Sequence, residues 1–306
     1  MIRRASATPA PESPVPHRTL LTLGAPRSRH IDALSPHGFS RVVYHEWGKP
    51  DNPRVVICVH GLARTGRDFD VLGEALSATH RILAVDLPGR GLSDWLADPN
   101  DYTFPTYLAA LTALIARSGT DDVSWVGTSL GGLLGIVLAA QPDTPISRLV
   151  VNDVGPAIEA VALERIGAYI GQAPTFGTVE EITRYVRKIS APFGALSEDH
   201  WNHLILTSVV RQPDGRWAMH YDPGIAVPFR AAPAPPDLWP LWDAIHCPTL
   251  VLRGADSDLL SAATAAAMGA RGPKPKIVTY AGVGHAPMLL SQEQVGPVCQ
   301  FLRTES

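Results

Sequence analysis

Short apolar runs rich in valine and isoleucine recur along this 306-residue chain, each closed by Gly, Pro or Asp. Seven of them predict strands, over 38–47, 54–60, 81–87, 123–129, 148–154, 249–254 and 276–281. Several are apolar at consecutive positions, as a strand must be when helices cover both of its faces. Between them, helical patterns run over 67–78, 106–118, 130–140, 262–269 and 292–303. Strand alternating with helix predicts an α/β fold, a doubly wound and mostly parallel sheet with right-handed crossovers.

The alternation breaks once. From residue 156 to residue 240 no buried-strand run occurs. Amphipathic stretches over 158–170, 179–189 and 198–209 predict helices instead. A hairpin-like Gln212-Pro213-Asp214-Gly215 turn follows, then an exit through Pro233, Pro235 and Pro236. A helical excursion that leaves after one strand and returns at the next reads as a lid over 156–240, with a core formed by 21–155 and 241–306. The Pro-rich, polar residues 1–20 are expected to be a flexible tail. Their Arg pair is followed by no apolar stretch, so no secretory signal is expected.

Composition narrows the classes. An apolar fraction of 45% with 18% charged residues fits a large soluble core. A net charge of −3 offers no basic field for nucleic acid or anionic lipid. Neither nucleic acid nor membrane is expected as a partner, and no apolar run is long enough to span a bilayer. A small-molecule substrate and a monomer or homodimer are the expectation. Cys58, Cys247 and Cys299 are odd in number and far apart, which disfavours a disulfide framework or a zinc site and suits reduced thiols in a cytoplasmic protein. No His/Cys/carboxylate cluster has ligand spacing and no Gly-rich dinucleotide or phosphate loop occurs, so neither metal nor cofactor is expected.

Gly127-Thr128-Ser129-Leu130-Gly131 is a G-x-S-x-G between an apolar strand and a small-residue helix. At average glycine usage the bare pattern turns up by chance in about one chain in ten of this length, so its placement carries the weight. The chain must reverse there within a few residues. Glycines on either side remove the Cβ atoms that would collide, and the serine is left standing above the sheet as a nucleophile. The helix that follows aims its N-terminus at the same spot, so the Leu130 N–H can meet a developing oxyanion.

At these residues the chain resembles the α/β-hydrolase fold superfamily of serine hydrolases, from about residue 38 to the end, with an insertion where that family carries its cap. The resemblance implies further assignments. Cys58-Val59-His60-Gly61-Leu62 closes an earlier strand, where a His-Gly pair precedes the second oxyanion donor. That donor is then Leu62, with His60 as a brace of the loop. Asp86-Leu87-Pro88-Gly89-Arg90-Gly91-Leu92-Ser93-Asp94 is a family segment that marks fold more than chemistry. Gly282-Val283-Gly284-His285-Ala286-Pro287 follows the last strand and offers His285 as general base, last in the order Ser, acid, His.

Three aspartates compete for the acid. The family's usual form puts Asp three residues after the glycine of Arg253-Gly254, where this chain has Ser257 between Asp256 and Asp258. A branch with Asp after that Ser makes Asp258 the first choice and Asp256 the second. Asp153, after the previous strand, is the third. Arg64 and Arg67 follow the oxyanion loop, and Arg64 could hold a substrate carboxylate. Pairing of these arginines with Asp68 and Asp70 is the competing reading. Among the lid aromatics Tyr169, Phe176, Tyr185, Trp201, Trp217 and Tyr221, the expected substrate contacts are Trp201 and Tyr221.

The resemblance implies hydrolysis of a small carboxylic ester, lactone or thioester through an acyl-enzyme. A hydrolase of C–C bonds in ring-fission products would use the same three groups and a lid. A non-catalytic binding protein of this fold is the alternative from another class. Serine at the elbow disfavours the members that use aspartate there.

Overall fold

The computed structural model, which describes residues 23–231 and 237–304, begins with a hairpin of β1 (Arg27–Ser35) and β2 (Gly38–Trp47). Then come β3 (Val55–Val59), α1 (Asp70–Leu76), β4 (Arg81–Val85), α2 (Phe104–Ser118), β5 (Val123–Thr128), α3 (Leu130–Ala139) and β6 (Ile146–Asn152). The insertion holds α4 (Ala160–Gly167), α5 (Val179–Ile189), α6 (Glu198–Ser208), the short hairpin β7 (Val209–Arg211) and β8 (Trp217–Met219), and α7 (Ala226–Ala231). The chain returns through α8 (Trp239–Asp243), β9 (Thr249–Gly254), α9 (Ala262–Ala270), β10 (Lys276–Tyr280) and α10 (Gln292–Arg303). The expected tail and the three exit prolines lie outside the described residues.

Eight strands make one sheet in the order β1-β2-β4-β3-β5-β6-β9-β10. The β1–β2 and β2–β4 pairs are antiparallel and the rest are parallel. The α/β-hydrolase fold is therefore present, with one strand more than the apolar runs predict. That strand, β1, buries only Ile31 and Ala33. At the sheet edge its Arg27, Ser28, Arg29 and His30 face solvent, so it carries no apolar run and declares itself only by pairing with β2.

The centre shows why the predicted strands are apolar throughout. Every residue of β3 and β4 is buried. Alternate side chains feed opposite faces. Val55, Ile57 and Val59 enter one core with α2 and α3, while Val56 and Cys58 enter the other with α1 and α10. Cys58 and Cys299 are buried and unpaired, and burial pushes both thiols up. The insertion shares the first core: Ile166, Ile182, Val186 and Leu204 join the same cluster as Leu130 and Leu133. Each such aliphatic side chain, fully buried, contributes about 1.5–3 kcal/mol.

Candidate active site

The strand ends, the loops after them and the underside of the insertion converge on Ser129. It stands between β5 and α3 at φ 51°, ψ −114°, outside the regions that L-residues favour. The two neighbouring glycines make this possible. A Cβ on Gly127 would lie 2.2 Å from the Gly131 carbonyl oxygen, and one on Gly131 only 2.0 Å from that of Val59. The buried Trp125 indole donates to the Gly131 carbonyl at 3.0 Å and the Ser129 N–H donates to Asn152 at 3.0 Å, so the turn is tied on both sides.

His285 reaches this serine from the loop after β10. Its Nε2 accepts from the Ser129 hydroxyl at 3.0 Å, and its Nδ1–H donates to Asp153 Oδ2 at 2.8 Å. Asn152 holds the loop in place by donating to the Pro287 carbonyl at 2.8 Å. Asp153, just past β6, is fully buried at a left-handed φ of 53°. Its Oδ1 accepts the Gly254 N–H at 2.8 Å and its Oδ2 also accepts the Ser257 hydroxyl at 2.7 Å. Three donors thus hold this one carboxylate in place, aimed at the imidazole.

The carboxylate against His285 is that of Asp153, the third choice of the sequence reading, and neither Asp258 nor Asp256. Asp258, the first choice, is turned away to Arg165 on α4, at 2.5 and 2.8 Å. That hydrogen bond, ahead of the partial burial that opposes it, holds the Asp258 carboxyl below the usual range. Asp256, the second choice, is exposed, with its N–H on the Val283 carbonyl. The physical reason is that β6 and β9 are parallel neighbours, so the residues just past their ends share one location. Ser257 occupies the family's usual acid position and serves there as a donor to Asp153. The sequence reading passes over this hydroxyl; the signal for it is the missing carboxylate at that position.

The loop after β3 adjoins the serine: a Cβ on Gly61 would lie 3.5 Å from Ser129 Cβ. His60 braces it. Its Nδ1–H donates to the Gly61 carbonyl at 2.6 Å and its Nε2 accepts the Leu87 N–H at 3.0 Å, which fixes a neutral tautomer. Burial, aided by the charge of Arg90, lowers this imidazole to about 4. In a planar trans peptide the N–H points opposite to the C=O. Holding the Gly61 carbonyl therefore aims the Leu62 N–H the other way. Leu130 is the first residue of α3, where an N–H has no intrahelical partner.

Arg64 follows the competing reading. Its Nε donates to both oxygens of Asp68 at 3.0 and 3.1 Å and its Nη1 to Ser208 Oγ at 2.5 Å, tying the loop to α6. Arg67 pairs with Asp70. Trp201 on α6 lies 5.2 Å beneath the Arg187 guanidinium, and Tyr221 is buried beside Arg90 through an isolated backbone bridge. Tyr221 also borders a cavity of about 420 Å³, with Trp95, Pro174 and Pro213, that none of Ser129, His285 and Asp153 lines.

The insertion touches every loop around the serine. Besides Arg64–Ser208 and Arg165–Asp258, the Gly284 N–H of the histidine loop donates to Pro192 at 2.7 Å. The Gly91 N–H donates to His220 and the Asp222 N–H to Gly89. Among the described residues no group of His, Cys and carboxylates could hold a metal ion, and no helix is long and apolar enough to cross a membrane.

The sequence profile of the alpha/beta hydrolase family matches residues 56–296. A 3-hydroxybutyrate-oligomer hydrolase of Cupriavidus necator is 45% identical over 286 residues, 90% of this chain and 98% of that protein. An alpha/beta hydrolase structure from Novosphingobium aromaticivorans superposes with a TM-score of 0.82 at 37% identity, over 92% of this chain and 99% of that one. A Rickettsia typhi structure reaches a TM-score of 0.85 at 29% identity, with the same coverage of 92% and 99%.

Proposed function

This chain belongs to the alpha/beta hydrolase family and is a hydrolase, and we propose that it cleaves small carboxylic esters through Ser129, His285 and Asp153. The observation that carries the reading is the unbroken line of hydrogen bonds from the Ser129 hydroxyl through His285 to a buried carboxylate. The similarity to a 3-hydroxybutyrate-oligomer hydrolase supports short oligoesters of hydroxy acids as the substrate class.

In this mechanism His285 Nε2 takes the Ser129 proton as Oγ attacks the ester carbonyl. The carbonyl oxygen becomes an oxyanion held by the Leu62 and Leu130 N–H groups. Asp153 fixes the imidazole tautomer and stabilises the imidazolium. That imidazolium protonates the departing alkoxide, the alcohol leaves, and Ser129 carries the acyl group. A water that gives its proton to His285 then releases the acid. The insertion acts as a cap that shapes the acyl and alcohol pockets and limits water.

The test is turnover of 3-hydroxybutyrate dimers and trimers, and of p-nitrophenyl butyrate, by the protein and its Ser129→Ala variant. A fluorophosphonate probe reads covalent capture. The variant is expected to lose at least about 10⁴-fold in kcat and all labelling, with its Tm preserved. Turnover that survives in Ser129→Ala would overturn the assignment.

A further inference from the structure

Arg90 is a cation in an unusual place. It is fully buried, one of the largest such side chains, and makes no ion pair among the described residues. Its Nη1 donates to the Pro88 carbonyl at 2.7 Å and to the Tyr107 hydroxyl at 2.8 Å, while its Nη2 has no hydrogen-bond partner among the described residues. The guanidinium lies 4.9 Å from the Tyr107 ring centroid and 5.6 Å from that of Tyr102. The nearby Asp222 carboxylate is taken instead by the Tyr102 hydroxyl, at 2.5 Å. A buried charge without a counter-ion is costly, and a neutral side chain would fill the same space. Stability alone does not account for it.

What the charge does touch is the oxyanion loop. Arg90 Nε–H donates to the Leu62 carbonyl at 2.9 Å. His60 holds the carbonyl before Leu62 and Arg90 holds the carbonyl of Leu62 itself, so the peptides on both sides of the residue are clamped. Neither clamp comes from the insertion. One is on the loop after β3 and the other on the loop after β4, so both side chains that grip the Leu62 peptides belong to the core.

We propose that Arg90 is a positioning residue for the oxyanion hole, its buried guanidinium fixing the Leu62 peptide and adding positive potential behind the developing oxyanion. The inference rests on the ester-hydrolase reading above. Preorganised dipoles of this kind act on the tetrahedral state far more than on bound substrate. The loss of Arg90 therefore falls on kcat and spares KM.

The experiment compares the wild type with Arg90→Met and Arg90→Lys, using p-nitrophenyl butyrate and a trifluoromethyl ketone that adds to Ser129 as an anionic hemiketal. Arg90→Met is expected to lose about 30- to 100-fold in kcat, somewhat less than a deleted oxyanion donor costs, with KM within about threefold. Its affinity for the ketone is expected to fall by a similar factor. Arg90→Lys keeps the charge, and part of the kcat and ketone affinity is expected to return with it. A lowered Tm with kcat and ketone affinity both within twofold of wild type would overturn the proposal and leave Arg90 a packing residue. If Arg90→Met does not fold, Arg90→Lys decides, since a purely structural role would leave its ketone affinity unchanged. A wild type without ester turnover would overturn the functional reading itself, a result distinct from any of these.

Discussion

The sheet core and the insertion are held together by different means. In the core, β3 and β4 are buried at every position, and the groups around Ser129 are fixed by backbone geometry that admits no slack. Gly127 and Gly131 leave no room for a methyl group, and Asp153 is locked by three donors. The insertion rests on its apolar underside and on side-chain pairs at its rim. Arg165–Asp258, which joins α4 to the loop after β9, is about 30% exposed on each partner. The groups around Ser129 thus sit where positions are rigid, while the rim of the insertion is joined in part by a bond that can exchange with water.

The sharpest way to break this comparison is to remove one carboxylate from each region. Asp153→Asn replaces an acceptor of three hydrogen bonds with an amide that must present N–H to one of the three donors. The wrong tautomer of His285 follows, and kcat is expected to fall about 10⁴-fold. Asp258→Asn, at the junction with the insertion, is expected to leave kcat within about threefold, because a partly exposed pair away from the serine is worth no more than about 1 kcal/mol. Steady-state kinetics with Tm measured alongside checks both. The reverse ranking would restore the order read from the sequence.

That ranking also shows what the chain discloses unaided. The buried strands were legible because parallel strands covered on both faces must be apolar throughout, and Ser129 and His285 because the fold places them at fixed points beside obligatory glycines. The edge strand β1 was not, since an edge needs few apolar side chains. The partner of His285 was not, because β6 and β9 end side by side and three aspartates lie within reach of that point in sequence terms. Only Ser257, already turned toward Asp153, separates them. The pairing of Arg64 with Asp68 was among the readings, but its second partner, Ser208, was hidden because it lies 144 residues away.

A milder change sharpens the comparison from the cap side. Arg165→Gln removes the tie between α4 and the loop that bears Asp258, while the core groups keep their places. If that tie favours the closed cap by about 1 kcal/mol, KM is expected to rise by up to about fivefold with kcat nearly unchanged. The rise is expected to shrink at high salt, where the wild-type pair is itself weakened. A drop in kcat of an order of magnitude would place Arg165 in the reaction itself and erase the division between rigid chemistry and adjustable cover.

The smallest effect concerns pH. Arg165 holds the Asp258 carboxyl below its ordinary range. A carboxyl lowered in the folded state contributes stability that is fully present above the unfolded pKa, near 4, and is lost as pH falls through the folded value. The Tm difference between wild type and Arg165→Gln is therefore expected to stay constant, at about 2 °C or less, from pH 8 down to about 5. Below about pH 4 it is expected to close, because protonated Asp258 no longer distinguishes the two proteins. Paired thermal melts across that window make the measurement. A difference that persisted undiminished well below pH 4 would mean that Arg165 supports the fold by packing and not through the charge of Asp258.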